Sequence, residues 1–342
     1  MERIAVVGSG AWGTALACHA ARLGHTVLMW ALEPEVAEEV NAKHSNSIYL
    51  KDQDLPESIR ASSDAAEVVS RAEIAILVPP SKHLRSVSAR VAGALPRDAV
   101  VVVASKGIEE GTLQLMSGVL AETMPDLEPE RLSFLSGPSF AREVARGLPT
   151  DVAVASQGMV AARRVQQALH SPMFRVYTSA DPVGVQVGGA VKNVMAVAIG
   201  VCDGLGFGTN ARASLITRGL AEITRLGIAL GADPLTFLGL AGVGDLVLTC
   251  TGDLSRNRTL GLRVAEGIDP KQYLANLRSV AEGFFTAAAA WELSRKLEVD
   301  MPITDQVFHV LHRGRPLREA VGLLISRESK EELVGIRGEP AG

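Results

Sequence analysis

Near the amino terminus an apolar run, Ile4-Ala5-Val6-Val7, leads straight into Gly8-x-Gly10-x-x-Gly13, and an Ala-rich helical stretch follows over 15–23. Gly8 permits a tight strand-to-helix turn. Gly10 has no Cβ, so a pyrophosphate can approach the backbone, and Gly13 lets the helix pack close on the strand. The N–H groups and positive dipole end of that helix then face the phosphates, with Ala11 and Trp12 in its first turn. Glycine-rich turns recur by chance, but this one lies after a strand and before a helix, the context that a dinucleotide-binding turn requires.

The chain has 342 residues, enough for two domains that each bury a core. Only 4% of residues are aromatic, so that core must be aliphatic. A net charge of -4 argues against a nucleic-acid surface, which needs a concentrated basic face. Cys18, Cys202 and Cys250 are too widely spaced for a disulfide framework or a metal cluster, and no metal is expected. Met1 leads directly into the first strand with no basic region or cleavage site, so no signal peptide is expected. No apolar run is long enough and free of Gly and charge to span a membrane, so a cytoplasmic location is expected.

Strands are predicted at 26–30, 74–78, 99–104, 132–135, 152–155 and 175–178, with helices between them, including one over 81–95 and one capped by Ser63-Asp64. This alternation predicts an α/β, Rossmann-type, doubly wound parallel sheet, which binds ligands outside the C-terminal ends of its strands. The second strand ends in Trp30-Ala31-Leu32-Glu33-Pro34. Glu33 can accept ribose hydrogen bonds and repel a 2′-phosphate, favouring NAD over NADP; it can equally be a surface acid opening the next helix. The polar connection 44–56 has the length of a mobile loop beside the site. From about residue 183 the strand signals fade, and helices are predicted over 183–202, 210–230, 255–266, 282–297, 304–313 and 317–326. The expected division is a dinucleotide-binding domain at 1–184 and an all-helical substrate-binding domain at 185–342; the charged tail after Arg327 is expected to fray.

Four stretches carry candidate chemistry. Ser105-Lys106-Gly107 and Ser136-Gly137-Pro138-Ser139-Phe140-Ala141 follow two sheet strands. Lys106 there is either a solvated charge or a cation for a substrate oxygen or phosphate. Gly188-Gly189-Ala190-Val191-Lys192-Asn193 places a lone lysine on a small, apolar helix face, which calls for close approach by backbone or ligand. Desolvation would favour the neutral form that a general base needs, whereas an acidic partner would oppose this. Asp245, in Gly242-Val243-Gly244-Asp245, needs such a cationic partner, and Lys192 is the candidate. In Ser255-Arg256-Asn257-Arg258 the serine is a good N-cap, and basic residues in a first helical turn are disfavoured unless they serve an anion. With Lys106 and Lys192 this implies a small phosphorylated substrate.

These motifs, with Val280-Ala281-Glu282-Gly283, occur in an order that resembles the bacterial-type NAD(P)-dependent sn-glycerol-3-phosphate dehydrogenases over nearly the whole chain. The resemblance implies a 6-phosphogluconate-dehydrogenase-like all-α second domain and interconversion of dihydroxyacetone phosphate and sn-glycerol 3-phosphate, feeding glycerophospholipid synthesis. It makes Lys192 the proton donor and acceptor. It puts Lys106, Gly137, Ser139, Asn193, Asp245, Thr249, Ser255, Arg256 and Asn257 at the substrate. Trp12, Lys106, Ala141, Arg256, Val280 and Glu282 fall at NAD(H) or NADP(H), beside the glycine turn. A homodimer is implied as well. Many relatives carry Arg where this chain has Leu32, which agrees with the reading of Glu33. A hydroxy-acid dehydrogenase of the same architecture, or a non-catalytic nucleotide sensor, are the competing readings.

Overall fold

The computed structural model describes residues 1–277, 280–329, 331–332 and 335–336, so much of the tail expected to fray lies outside the described residues. The chain divides into two compact units. The first comprises Met1–Lys106 and Met116–Pro182, the second Gly107–Leu115 and Val183–Gly342.

In the first unit β1 (Arg3–Val7), α1 (Ala11–Arg22), β2 (Thr26–Trp30), α2 (Pro34–Lys43), β3 (Arg60–Ser62), α3 (Ala65–Val69), β4 (Ile74–Leu77), α4 (Leu84–Ala92) and β5 (Val100–Val103) alternate strictly. They are followed by α5 (Met116–Thr123), β6 (Leu132–Ser136), α6 (Ala141–Ala145), β7 (Thr150–Ala155), α7 (Met159–Leu169) and β8 (Phe174–Ser179). The eight strands form one sheet in the order β3-β2-β1-β4-β5-β6-β7-β8. β4 and β5 are apolar and buried at every position, as expected of central strands covered by helices on both faces.

The sheet is parallel except where β7 runs antiparallel to β6, pairing Leu135 with Val154. A wholly parallel sheet is thus corrected at one junction. The β6–β7 connection holds only the one-turn helix α6 and returns to the sheet at the end it left, whereas a parallel neighbour needs a crossover to the opposite end. The three-residue β3 at the sheet edge carried no apolar alternation and was not predicted.

The second unit is helical: α8 (Pro182–Gly204), α9 (Gly208–Ala229), α10 (Asp245–Thr251), α11 (Arg256–Ala265), α12 (Pro270–Ala275), α13 (Glu282–Lys296), α14 (Pro302–Arg313) and α15 (Leu317–Ile325). α10 and α12 are additions to the helices read from sequence. α8 is long and apolar enough to cross a bilayer by length and composition, but 89% of that stretch is buried, with Val187, Val191, Val194 and Ile199 inside the unit's core. Its hydrophobicity is that of a central core helix. It crosses α11 backbone to backbone, because a Cβ on Gly200 would stand 2.0 Å from the Arg258 carbonyl oxygen and one on Gly261 would stand 2.1 Å from that of Val197.

Candidate active site

In the first unit the glycine turn is built as its spacing requires. Gly8 has φ +127°, a backbone state reserved for glycine, and a Cβ on Gly13 would lie 1.9 Å from the Gly8 carbonyl oxygen. Gly10 is the N-cap of α1 and faces open space, so any Cβ there would fill the approach to the backbone. No side chain caps α1 and no acid lies in its first turn, which includes Ala11; the helix start keeps its positive end for an anion. The Trp12 Nε1 atom is buried beside this turn without a hydrogen-bond partner, a donor that a ligand can satisfy. This cradle and its orphaned donor fit a dinucleotide pyrophosphate.

Glu33 stands at the end of β2 as the N-cap residue of α2, yet its carboxylate caps nothing. Its Oε1 instead accepts a 2.7 Å hydrogen bond from the Tyr49 hydroxyl. Leu32 beside it is 63% exposed. The 44–56 connection, expected to be loose, is anchored. Asn46 is fully buried, and its Nδ2 donates to the Ser9 carbonyl at 2.8 Å and to Thr14 Oγ1 at 2.9 Å. Leu50 and Leu55 enter the core of the unit. Sequence reasoning missed Asn46 and Tyr49 because polar residues dominate the segment; the buried Leu50 and Leu55 were the available signal of anchoring.

Lys106 and Ser139 meet at Gly137. Lys106 Nζ donates to the Gly137 carbonyl at 3.4 Å and Ser139 Oγ donates to it at 2.9 Å. Gly137 has φ +142°, and a Cβ there would lie 2.9 Å from Val152 Cα, so the strand-to-helix turn passes tightly over β7. Ala141 opens α6, whose start has no side-chain cap.

The second unit gathers its candidates around α8. A Cβ on Gly188 would stand 2.4 Å from the Ala241 carbonyl oxygen, so the small face read from sequence admits backbone here. That approach carries the start of α10 onto α8. Lys192 Nζ lies 2.9 Å from Asp245 Oδ1, and their side chains are 8% and 2% exposed. Lys192 Nζ also donates to Thr249 Oγ1 at 2.6 Å, and Thr249 Oγ1 donates onward to the Asp245 carbonyl at 2.6 Å. Asp245 begins α10, where the helix dipole favours a carboxylate. The nearby Cys250 thiol is pushed up to about 12, chiefly by burial, which makes it a packing residue and no nucleophile.

Asn193, next on α8, is tied to α11 and α13. Asn257 Nδ2 donates to Asn193 Oδ1 at 2.8 Å, while Asn257 Oδ1 accepts from the Gly283 N–H at 2.9 Å. Asn257 thereby caps α13 from another helix, since Ala281, the N-cap of α13, has no side-chain acceptor. Ser255 Oγ caps α11 by accepting from the Arg258 N–H at 3.3 Å. The two arginines in this first turn differ. Arg258 is consumed by Asp203, whose Oδ2 accepts from its Nε at 2.8 Å, whereas Arg256 is solvent-exposed. Desolvation by the surrounding protein lowers the Arg256 guanidinium pKa and the charge of Glu282 opposes it; a guanidinium keeps its charge at neutral pH. Val280 and Glu282 sit at the entry to α13, half-buried. Among the described residues no group of three or more His, Cys, Asp or Glu side chains could hold a metal ion.

A Rossmann-type unit with an open glycine turn, followed by a helical unit that holds a buried lysine, defines a two-domain nicotinamide-dependent dehydrogenase. Residues 3–162 match the family model for the NAD-dependent glycerol-3-phosphate dehydrogenase N-terminus, and residues 181–322 match that for its C-terminus. A glycerol-3-phosphate dehydrogenase, NAD(P)+, of Geobacter sp. (strain M21) is 49% identical over 331 residues, covering 97% of this chain and 99% of the relative. A relative of the same description in Myxococcus xanthus is 48% identical, covering 98% of this chain and all of the relative. The crystal structure of glycerol-3-phosphate dehydrogenase from Coxiella burnetii superposes with a TM-score of 0.91 at 37% identity, covering 95% of this chain and 99% of that one. The chain belongs to the NAD-dependent glycerol-3-phosphate dehydrogenase family.

Proposed function

We propose that this chain interconverts dihydroxyacetone phosphate and sn-glycerol 3-phosphate, with residues 1–184 binding the dinucleotide and 185–342 the substrate. The observation that carries this reading is Lys192, buried and held by both Asp245 and Thr249 in a unit whose α11 also begins with an anion-ready turn. A nicotinamide dinucleotide held by the Gly8–Gly13 turn and Trp12 would supply the hydride chemistry at the carbinol carbon. In the reduction Lys192 gives a proton to the alkoxide oxygen as negative charge develops there; in the oxidation it takes the hydroxyl proton. Asp245 accepts from the ammonium and compensates its charge. Thr249, accepting from Nζ and donating to a backbone carbonyl, holds the amine in one place through either direction. Asn193, oriented by Asn257, offers its amide to the substrate oxygens, and Arg256 with the Ser255-capped helix start holds the phosphate. By resemblance to the family, Lys106, Gly137 and Ser139, which meet at the Gly137 carbonyl, are also assigned to the substrate.

Glu33, with no Lys or Arg beside it in the sequence of the β2–α2 turn, supports NAD over NADP. A homodimer in the cytoplasm, supplying glycerophospholipid synthesis, completes the proposal by resemblance to the family. The test follows nicotinamide absorbance with dihydroxyacetone phosphate in parallel with NADH and NADPH. Rapid oxidation of NADH, faster than of NADPH, is expected. Turnover of a non-phosphorylated hydroxy acid in place of the phosphorylated ketone would overturn the substrate assignment.

A further inference from the structure

The 44–56 connection takes no part in this chemistry, yet it touches the dinucleotide-binding framework at two places. Asn46 holds the Ser9 carbonyl of the glycine turn and the Thr14 hydroxyl of α1. Three residues on, the Tyr49 hydroxyl donates to Glu33 Oε1 at 2.7 Å. Tyr49 is itself well fixed. Its backbone N–H donates to Asn46 Oδ1 at 3.2 Å, its ring packs against the core of the first unit, and Leu50 beside it is 2% exposed. The same segment is tied to α2, where Glu39 accepts from Ser45 Oγ at 2.8 Å and from Ser47 Oγ at 3.0 Å.

A glutamate at an exposed turn ordinarily samples many rotamers and loses that freedom when it binds a ligand. A phenol-to-carboxylate hydrogen bond is charge-assisted and stronger than a neutral one. Here it engages one carboxylate oxygen and holds the negative charge at the end of β2 before any dinucleotide arrives. A carboxylate so held is ready to accept from ribose hydroxyls and is a standing repulsion to a 2′-phosphate.

We propose that Tyr49 is a positioning residue for dinucleotide choice, fixing the Glu33 carboxylate so that the site favours a free 2′-hydroxyl over a 2′-phosphate. This rests on the reading of Glu33 as the ribose-facing acid. The ring and backbone of residue 49 serve packing in either case; the hydroxyl alone carries the selectivity.

The experiment titrates NADH and NADPH into wild-type protein and the Tyr49→Phe, Glu33→Gln and double variants, without substrate, and reads dissociation constants from nicotinamide fluorescence. Melting temperature is recorded alongside. Tyr49→Phe is expected to reduce the preference for NADH over NADPH by about three- to tenfold, less than the full worth of a hydrogen bond to a charged group because the Glu33 carboxylate stays in place and loses only its tether. Its melting temperature should stay near wild type. The double variant should differ little from Glu33→Gln, because both changes act through the same carboxylate. If Glu33→Gln shifts the preference and Tyr49→Phe does not, the role of Tyr49 is overturned while that of Glu33 stands. If neither shifts it, the reading of Glu33 fails and takes the proposal with it. Equal weakening of both dinucleotides by Tyr49→Phe assigns the hydroxyl to structure alone and overturns the proposal, as does an additive double variant.

Discussion

The carbonyl oxygen of Ala241 occupies the space that a side chain on Gly188 would need, 2.4 Å from the position of its Cβ. That vacancy on α8, one turn before Lys192, lets the chain entering α10 come close enough for Asp245 to meet the lysine. Gly242 reinforces the fit, since a Cβ there would lie 2.2 Å from the Phe237 carbonyl oxygen. The charge pair therefore depends on residues that carry no side chain.

Gly188→Ala should push α10 away from α8. The strain of such overpacking is about 1–3 kcal/mol, and kcat should fall with it because Asp245 and Thr249 lose register with Lys192. Calorimetric melting and steady-state rates, measured on the same preparation, check this. A variant with wild-type melting temperature and rate would show that the close approach is not needed.

Lys192→Ala should reduce kcat by about 10²–10⁴, the usual contribution of a positioned proton-transfer group, while dinucleotide binding in the first unit survives. It should also destabilise the protein, since Asp245 is left buried without its cation. Adding Asp245→Asn to Lys192→Ala should restore melting temperature without restoring rate. Turnover near the wild-type value in the single variant would remove Lys192 from the chemistry.

Arg256→Ala should raise KM for dihydroxyacetone phosphate by about ten- to a hundredfold, the range for a hydrogen bond to a charged group, with a smaller effect on kcat. Arg258→Ala, which breaks the contact with Asp203, should instead lower stability. An unchanged substrate KM in Arg256→Ala, with weakened dinucleotide binding, would move Arg256 to the nicotinamide side.

Glu222 gives the second unit a pH-dependent stability. It lies on α9 with both oxygens accepting from the start of α14, from Ile303 N–H at 2.6 Å and from Thr304 N–H and Oγ1 at 3.1 and 3.0 Å. Burial raises its carboxyl to about 7, outweighing those hydrogen bonds, which favour the charged form. The folded protein thus binds a proton that the unfolded chain releases near its ordinary value of 4.5. The stabilisation is fully present below that value and is lost as pH rises to about 7, by about 3 kcal/mol in all. Denaturant midpoints measured across this window should fall for the wild type and stay flatter for Glu222→Gln.

Much of the framework was legible in local pattern. The glycine turn, the apolar strands β2, β4, β5 and β6, the cap at Ser255 and the long helices each depend on residues a few positions apart, where side-chain period and turn chemistry act directly. β3, α10 and α12 were not legible, being short and without a strong period. The antiparallel β6–β7 pairing escaped for a related reason: strand direction is set by where a connection returns, and apolar content does not encode that.

The candidate site divides along the same line. By itself the sequence determined which residue types were available for chemistry and marked Lys192 and Asp245 as charges that could not be left alone in apolar surroundings. Only the tertiary structure decided that these two meet, that Arg258 serves Asp203 while Arg256 does not, and that Tyr49 reaches Glu33. Lys192 and Thr249 are 57 positions apart and Asn193 and Asn257 are 64 apart. Contacts at such separations arise from helix packing at glycine-sized gaps, where steric fit among distant segments selects the partner and local propensity has no influence.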